Sequence, residues 1–224
     1  MKLGIVSYDH THLKTEQLVN IFVLDKRIEK IIIFGLPYLQ FKKRDVLFQH
    51  RPDMSTGISV KNLSELHNVS FRRWDGKEFI GNECDLFVIG GAGILDVSLF
   101  GGKPIVNGHP GIIPRARGLD CFKWAIYNND PLGITMHLID QNVDKGEILE
   151  IQLTPIFPDD DINSLARRHY ELEIQLLSKV LDLLSKRGKP VEVEKPATLR
   201  MPLETEYEML KRFDIWKDNM IVKK

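Results

Sequence analysis

Short apolar runs rich in β-branched residues recur along this chain, at residues 3–7, 30–34, 69–73, 85–89 and 104–107, with helix-like stretches between several of them. Strand signals that alternate with helical spacing call for an α/β domain built on a largely parallel sheet. Ile31-Ile32-Ile33-Phe34 and Leu86-Phe87-Val88-Ile89 carry no polar alternation, which is the pattern of strands covered on both faces. Residues 11–24 suit a first crossover helix. Residues 118–128 suit another, with Leu119, Phe122, Ala125 and Ile126 on one face.

The strongest helix signal covers residues 161–187. Asp160 and Asp161 favour its start, Leu165, Leu172, Leu176, Val180 and Leu184 form its apolar stripe, and Gly188 with Pro190 stops it. Such a helix is expected to pack, with no part in chemistry. Beyond Pro190 the pattern weakens, through Val191-Glu192-Val193-Glu194 and Thr198-Leu199-Arg200-Met201-Pro202 to a short charged helix over residues 204–213. The expected division is therefore one large domain, 1–189, and a short C-terminal extension, 190–224. Leu210, Phe213 and Ile215 of that extension either cover the core or make a homodimer contact.

Acidic and basic residues balance at 31 each, so no global field gathers nucleic acid or an anionic membrane, and any anionic ligand must be held locally. Cys84 and Cys121 form neither a disulfide framework nor a metal-binding CxxC. No apolar stretch approaches the roughly 20 residues of a membrane span, and the N-terminus runs directly into a strand without a signal-type core. A reducing, cytoplasmic setting is expected.

In an open α/β sheet, ligands sit beyond the carboxyl ends of the strands, and three segments arrive there. The run Gly90-Gly91-Ala92-Gly93-Ile94-Leu95 follows the fourth strand and can expose backbone groups to a planar ligand, or simply turn tightly. No GxGxxG follows the first strand, so a dinucleotide site is not indicated. The fifth strand delivers Asn107-Gly108-His109-Pro110-Gly111, in which Asn107 and His109, two apart, face the same side. An Asn amide can donate to a developing oxyanion, and a His can do the same or relay a proton near neutral pH. Residues 133–138 read as a strand leading into Ile139-Asp140-Gln141-Asn142-Val143-Asp144-Lys145-Gly146, and Asp144 could orient the His109 imidazole and favour its charged form. Each segment alone has a structural explanation; only their combination is informative. A hydrolytic metal site drawn from His10, His12, His109 and Asp144 is the weaker alternative, because Asp9-His10-Thr11-His12 fits a polar turn equally well.

The ordered set N-x-H-P from Asn107, R-x-R-G from Arg115, G-x-T-x-H from Gly133 and D-x-G from Asp144 closely resembles the folate-dependent formyltransferase family. The resemblance spans residues 85–149 and extends through the next strand and long helix to about Gly188. It implies a Rossmann-like, mostly parallel sheet with helices on both faces, and 10-formyltetrahydrofolate as formyl donor. It assigns Asn107, His109 and Asp144 as the catalytic set, and places Ala92, Gly93, Ile94, Leu95, Asp140, Gln141, Asn142 and Val143 along the pteridine pocket. No metal is required.

Departures from the family pattern bear on the acceptor. A Gly- and Ser-rich phosphate loop, as glycinamide ribonucleotide enzymes would carry after the first strand, is replaced here by Ser7-Tyr8-Asp9-His10-Thr11-His12. The balanced charge and the short remainder of the chain do not suit a tRNA substrate. The sugar branch, which formylates nucleotide-linked amino sugars for surface polysaccharide, fits best, with Tyr8, Asp9, His10, His12 and Arg51 as acceptor contacts. Glycinamide ribonucleotide formyl transfer and hydrolysis of formyltetrahydrofolate are the alternatives.

Overall fold

The computed structural model describes residues 1–38, 45–140, 146–185, 188 and 196–222. Seven strands form one sheet in the order β3-β2-β1-β4-β5-β6-β7. Strands β1 (Lys2–Tyr8), β2 (Lys30–Leu36), β3 (Ser70–Arg73), β4 (Leu86–Ile89) and β5 (Ile105–His109) run parallel, while β6 (Gly133–Leu138) and β7 (Ile148–Leu153) continue the sheet antiparallel. The apolar runs of the sequence became the parallel strands, and the two-sided burial of β2 and β4 matches their unbroken hydrophobicity.

Side-chain alternation sorts the sheet into two faces. One carries Leu3, Ile5, Ile31, Ile33, Val88, Val106 and Met136, packed under α1 (Leu13–Phe22), α2 (Val60–His67) and α4 (Ile162–Ser178). The other carries Val6, Phe34, Phe87, Ile89 and Ile105 against Trp74, Ile80 and Phe100, the last from a 3-10 turn at Val97–Phe100. Burying Leu18, Val19 and Phe22 holds α1 down, at about 2 kcal/mol per side chain.

The first crossover helix starts later than residue 11, because Thr11 bridges to Ser59 and His12 keeps an extended backbone. α4 is capped by Asp161, which accepts from the Ser164 amide at 2.6 Å; Asp160 instead pairs with Arg168 at 2.6 Å. The long helix breaks at Lys179, followed by α5 (Val180–Leu183), and the stop expected at Gly188-Pro190 lies largely outside the described residues. α3 (Cys121–Tyr127) does not include Leu119, which is exposed and donates its amide to the Thr198 carbonyl.

The C-terminal helix α6 (Leu203–Val222) runs 20 residues, well past Phe213. Met209, Phe213, Trp216 and Met220 bury against Phe122, Ala125 and Ile126 of α3 and Leu165 and Ala166 of α4, while Ile215 is exposed. The strand Val191-Glu192-Val193-Glu194 suggested by sequence lies outside the described residues. Among the described residues no helix is long and apolar enough to cross a membrane.

Candidate active site

Alternation along β5 sends Asn107 and His109 to the face of Ile105 and leaves Gly108 on the face of α4. The neighbouring antiparallel strand sets His137 opposite Asn107 and Thr135 opposite His109. Four polar side chains therefore gather on one face where β5 and β6 pair. Asn107 Nδ2 lies 3.4 Å from His137 Nε2, and the rings of His109 and His137 meet edge-on with centroids 6.3 Å apart. Thr135 Oγ1 donates to the Gly111 carbonyl at 2.7 Å and accepts from the Ile113 amide at 3.1 Å, which fixes the loop leaving β5.

His109 is 4% exposed. Its Nε2 lies 2.8 Å from the Ala116 carbonyl, an acceptor, so Nε2 carries a proton. Cys121 Sγ is 3.4 Å from the same nitrogen. On the other side of the strand Gly108 permits a close approach of α4, since a Cβ there would stand 3.0 Å from Leu177 and 3.2 Å from Glu173.

The run after β4 leaves the sheet beside this face. Ala92 and Leu95 pack partly against its apolar cluster, whereas Ile94 is 90% exposed and the position of Gly93 is open. A cavity of about 260 Å³ lies between Val97, Lys103, Ile105 and Ile139. Asp140 is half-buried, and Gln141, Asn142, Val143 and Asp144 lie outside the described residues. The flanks of that segment are placed: the Leu138 amide donates to the Glu147 carbonyl at 2.9 Å, and Gly146 sits against the Leu138 carbonyl, next to His137.

Beyond β1, Tyr8, His10, His12 and Tyr38 form an aromatic cluster, with ring centroids 3.9 Å apart for His10 and Tyr38 and 5.9 Å for Tyr8 and His12. Asp9 does not join them; it pairs with exposed Arg73 at 2.7 Å and lines a second cavity, of about 420 Å³, with Gly35 and Trp74. Arg51 reaches α4, where its Nη2 donates to Glu173 at 2.7 Å, and Lys14 binds the same carboxylate at 2.6 Å. Glu173 and Lys14 are both buried. Burial pushes the Glu173 carboxyl up, but Arg51 and Lys14 outweigh it and hold the group at about 2.

Two imidazoles adjoin this ion cluster. Burial, reinforced by Lys14, lowers His12 to about 4, and its Nδ1 lies 2.9 Å from Thr15 Oγ1. Burial also lowers His169 to about 4, against the opposing charge of Glu173. His169 Nδ1 lies 2.8 Å from Thr154 Oγ1, and its Nε2 faces the Pro110 carbonyl at 3.4 Å, linking α4 to the loop after His109. Among the described residues no three His, Cys, Asp or Glu side chains converge as metal ligands would.

The sequence motifs point to Asn107, His109 and Asp144, and to Tyr8, Asp9, His10, His12 and Arg51, but not to Lys14, Thr135, His137, His169 or Glu173 as site groups. The signal for the last two was present, since His169 and Glu173 are four apart on the buried side of α4, amid Leu165, Leu172 and Leu176. On α4 these two positions carry buried ion pairs and hydrogen bonds in place of apolar packing.

Residues 97–181, which include both strands of the polar quartet, match the family model described as Formyl transferase. Over that segment the chain is similar to formyl transferases. The methionyl-tRNA formyltransferase of Trichlorobacter lovleyi is 41% identical over 87 residues, which are 38% of this chain and 27% of that protein. The match spans well under half the length of the curated formyl transferases. A sugar N-formyltransferase from Shewanella sp. FDAARGOS_354 shares the fold with a TM-score of 0.61 at 19% identity, over 95% of this chain and 87% of that one. The formyltransferase PseJ from Anoxybacillus kamchatkensis, solved with UDP-4,6-dideoxy-4-formamido-L-AltNAc and tetrahydrofolate, has a TM-score of 0.58 at 17% identity, covering 98% of this chain and 97% of its own.

Proposed function

We propose that this chain transfers a formyl group from 10-formyltetrahydrofolate to the amine of a nucleotide-linked amino sugar, in the cytoplasm, for surface polysaccharide. The pairing of Asn107 and His109 on one strand face, within the segment that matches the formyl transferase family, carries this reading. The neutral amine attacks the formyl carbon, a C–N bond forms, and negative charge collects on the formyl oxygen. Asn107 Nδ2 donates to that oxygen. His109 Nε2 is already directed at Ala116, so His109 donates from Nδ1 and must be an imidazolium to do so. Asp144 favours that charged form, orients the ring and takes the amine proton through a water, which returns to the departing tetrahydrofolate nitrogen.

Ala92, Gly93, Ile94 and Leu95, with Asp140, Gln141, Asn142 and Val143, hold the pteridine through backbone groups. The open position of Gly93 and the exposed Ile94 side chain suit a flat, partly apolar ring. On the acceptor side, Tyr8, His10 and His12 offer ring faces, and Arg51 with Lys14 leaves one positive charge beyond Glu173 for an anionic diphosphate. The PseJ ligands are of the same two chemical classes as the pair proposed here. The sequence likeness to methionyl-tRNA formyltransferases favours a second reading, with charged initiator tRNA as acceptor.

Incubating the protein with 10-formyltetrahydrofolate and a panel of amino-sugar nucleotides, glycinamide ribonucleotide, methionyl-tRNA or water alone tests the assignment. Formyl transfer to at least one sugar nucleotide is expected. Transfer only to glycinamide ribonucleotide or only to methionyl-tRNA overturns the sugar reading, and formate release that needs no amine makes the protein a hydrolase.

A further inference from the structure

The loop that carries Arg51 is tied to the C-terminal helix by a buried carboxylate. Glu206, on the first turns of α6, is completely buried, and its Oε1 accepts from the Phe48 amide at 2.7 Å and from Lys123 Nζ at 2.6 Å. Lys123 of α3 is itself 2% exposed. Phe48 and His50 both lie against the Phe122 ring, with centroids 6.0 and 5.9 Å away. Three residues beyond Phe48, Arg51 crosses to Glu173 beside His12 and His169.

A buried carboxylate is costly unless its charge is paired and its oxygens are bonded. Packing α6 onto α3 requires only apolar residues, which Met209, Phe213, Trp216 and Met220 supply. Glu206 adds something those side chains cannot, an acceptor for one backbone amide of a connection that is otherwise exposed or half-buried. Lys123 Nζ, 2.6 Å from the same oxygen, pairs with that acceptor and directs it. From α6 through Glu206, Phe48 and Arg51 to Glu173, a continuous set of contacts joins the C-terminal helix to the acceptor side of the site.

We infer that Glu206 is a positioning residue: it holds the Phe48–Arg51 loop so that Arg51 stands where the acceptor's anionic group binds. The C-terminal helix thereby contributes to acceptor affinity without touching the acceptor. The functional half of this inference rests on the formyl-transfer reading above; the structural half does not.

Two double variants of the full chain isolate the Phe48 bond while removing both buried charges: Lys123→Met with Glu206→Gln, which keeps an oxygen for the amide, and Lys123→Met with Glu206→Leu, which does not. In the Leu pair, amide hydrogen exchange over residues 45–53 should speed up at least about tenfold, and acceptor KM should rise at least about tenfold with kcat and donor KM within about twofold. The Gln pair should stay within about threefold of the wild type in all of these. Equal exchange and equal KM in the two pairs overturn the inference. If the wild type formylates no acceptor, the functional reading fails, and the exchange contrast alone decides what Glu206 does. If the Leu pair does not fold, the wild-type Phe48 amide decides: protection of at least about a hundredfold supports the bond, and exchange at the unfolded rate overturns it.

Discussion

Acidifying this protein from pH 7 toward pH 4 should unfold it in a window set by its buried imidazoles. His12 and His169 sit at about 4 in the folded chain against an ordinary 6.5, chiefly because burial disfavours their charge. The unfolded chain takes up these protons as the pH falls through about 6.5, and the folded chain only near 4. Throughout that interval the unfolded state binds more protons, so stability falls as pH falls, at up to about 1.4 kcal/mol per pH unit for each imidazole. Over the whole window each histidine then removes about 3 kcal/mol, a large part of a typical 5–15 kcal/mol total. His50 is also lowered by burial and steepens the loss. Glu173 titrates separately: held at about 2 against 4.5, its contribution is intact above pH 4.5 and is lost below that. Urea unfolding midpoints measured at pH 7, 6, 5 and 4.5 for the wild type and for His169→Gln, which can still bond Thr154, isolate one of these protons. The variant should lose about 2 kcal/mol less than the wild type between pH 6.5 and 4.5. Parallel curves would refute the claim that His169 is buried neutral.

Glu173→Gln strands buried Lys14, and half-buried Arg51 beside it, without a counter-ion and should destabilise by about 3–5 kcal/mol in urea titrations; a loss below about 1 kcal/mol would mean that the cluster is hydrated. His109→Ala and Asp144→Ala should each lower kcat at least about a hundredfold while calorimetry still detects tetrahydrofolate binding, and near-normal turnover removes the residue from the mechanism. In Gly146→Ala the new Cβ falls 1.6 Å from the Leu138 carbonyl oxygen, so the flank of the Asp144 segment must move. Folate affinity should drop at least about tenfold by fluorescence titration, and an unchanged Kd would separate that segment from the pocket.

Burial on two faces leaves an unbroken apolar run, so β2 and β4 were legible from composition alone, and Asn107 and His109 from spacing. What escaped was assembled over long distances. Lys14, Arg51 and Glu173 meet only once α1, the 48–53 loop and α4 are in place, and no local pattern announces an ion cluster joined across more than 100 residues. The full length of α6 escaped for a different reason. Its buried positions, Met209, Phe213, Trp216 and Met220, repeat at helical spacing, but charged residues between them dilute the apolar stripe.

The alternation of β5 explains why the two halves of the site occur together. Asn107 and His109 face His137 and Thr135, while Gly108, between them, lets α4 press within contact of the backbone and brings Glu173 and His169 to the same strand end. A slip of one residue would exchange the faces, driving Asn107 and His109 into Leu177 and leaving a glycine opposite His137. The apolar packing of Val106 beneath α4 and of Ile105 beneath Phe100 opposes that slip on both faces at once. The register that buries the core is therefore the register that presents the candidate site, and a substitution that loosens one, such as Val106→Thr, should lower the urea midpoint and the proposed formyl transfer together.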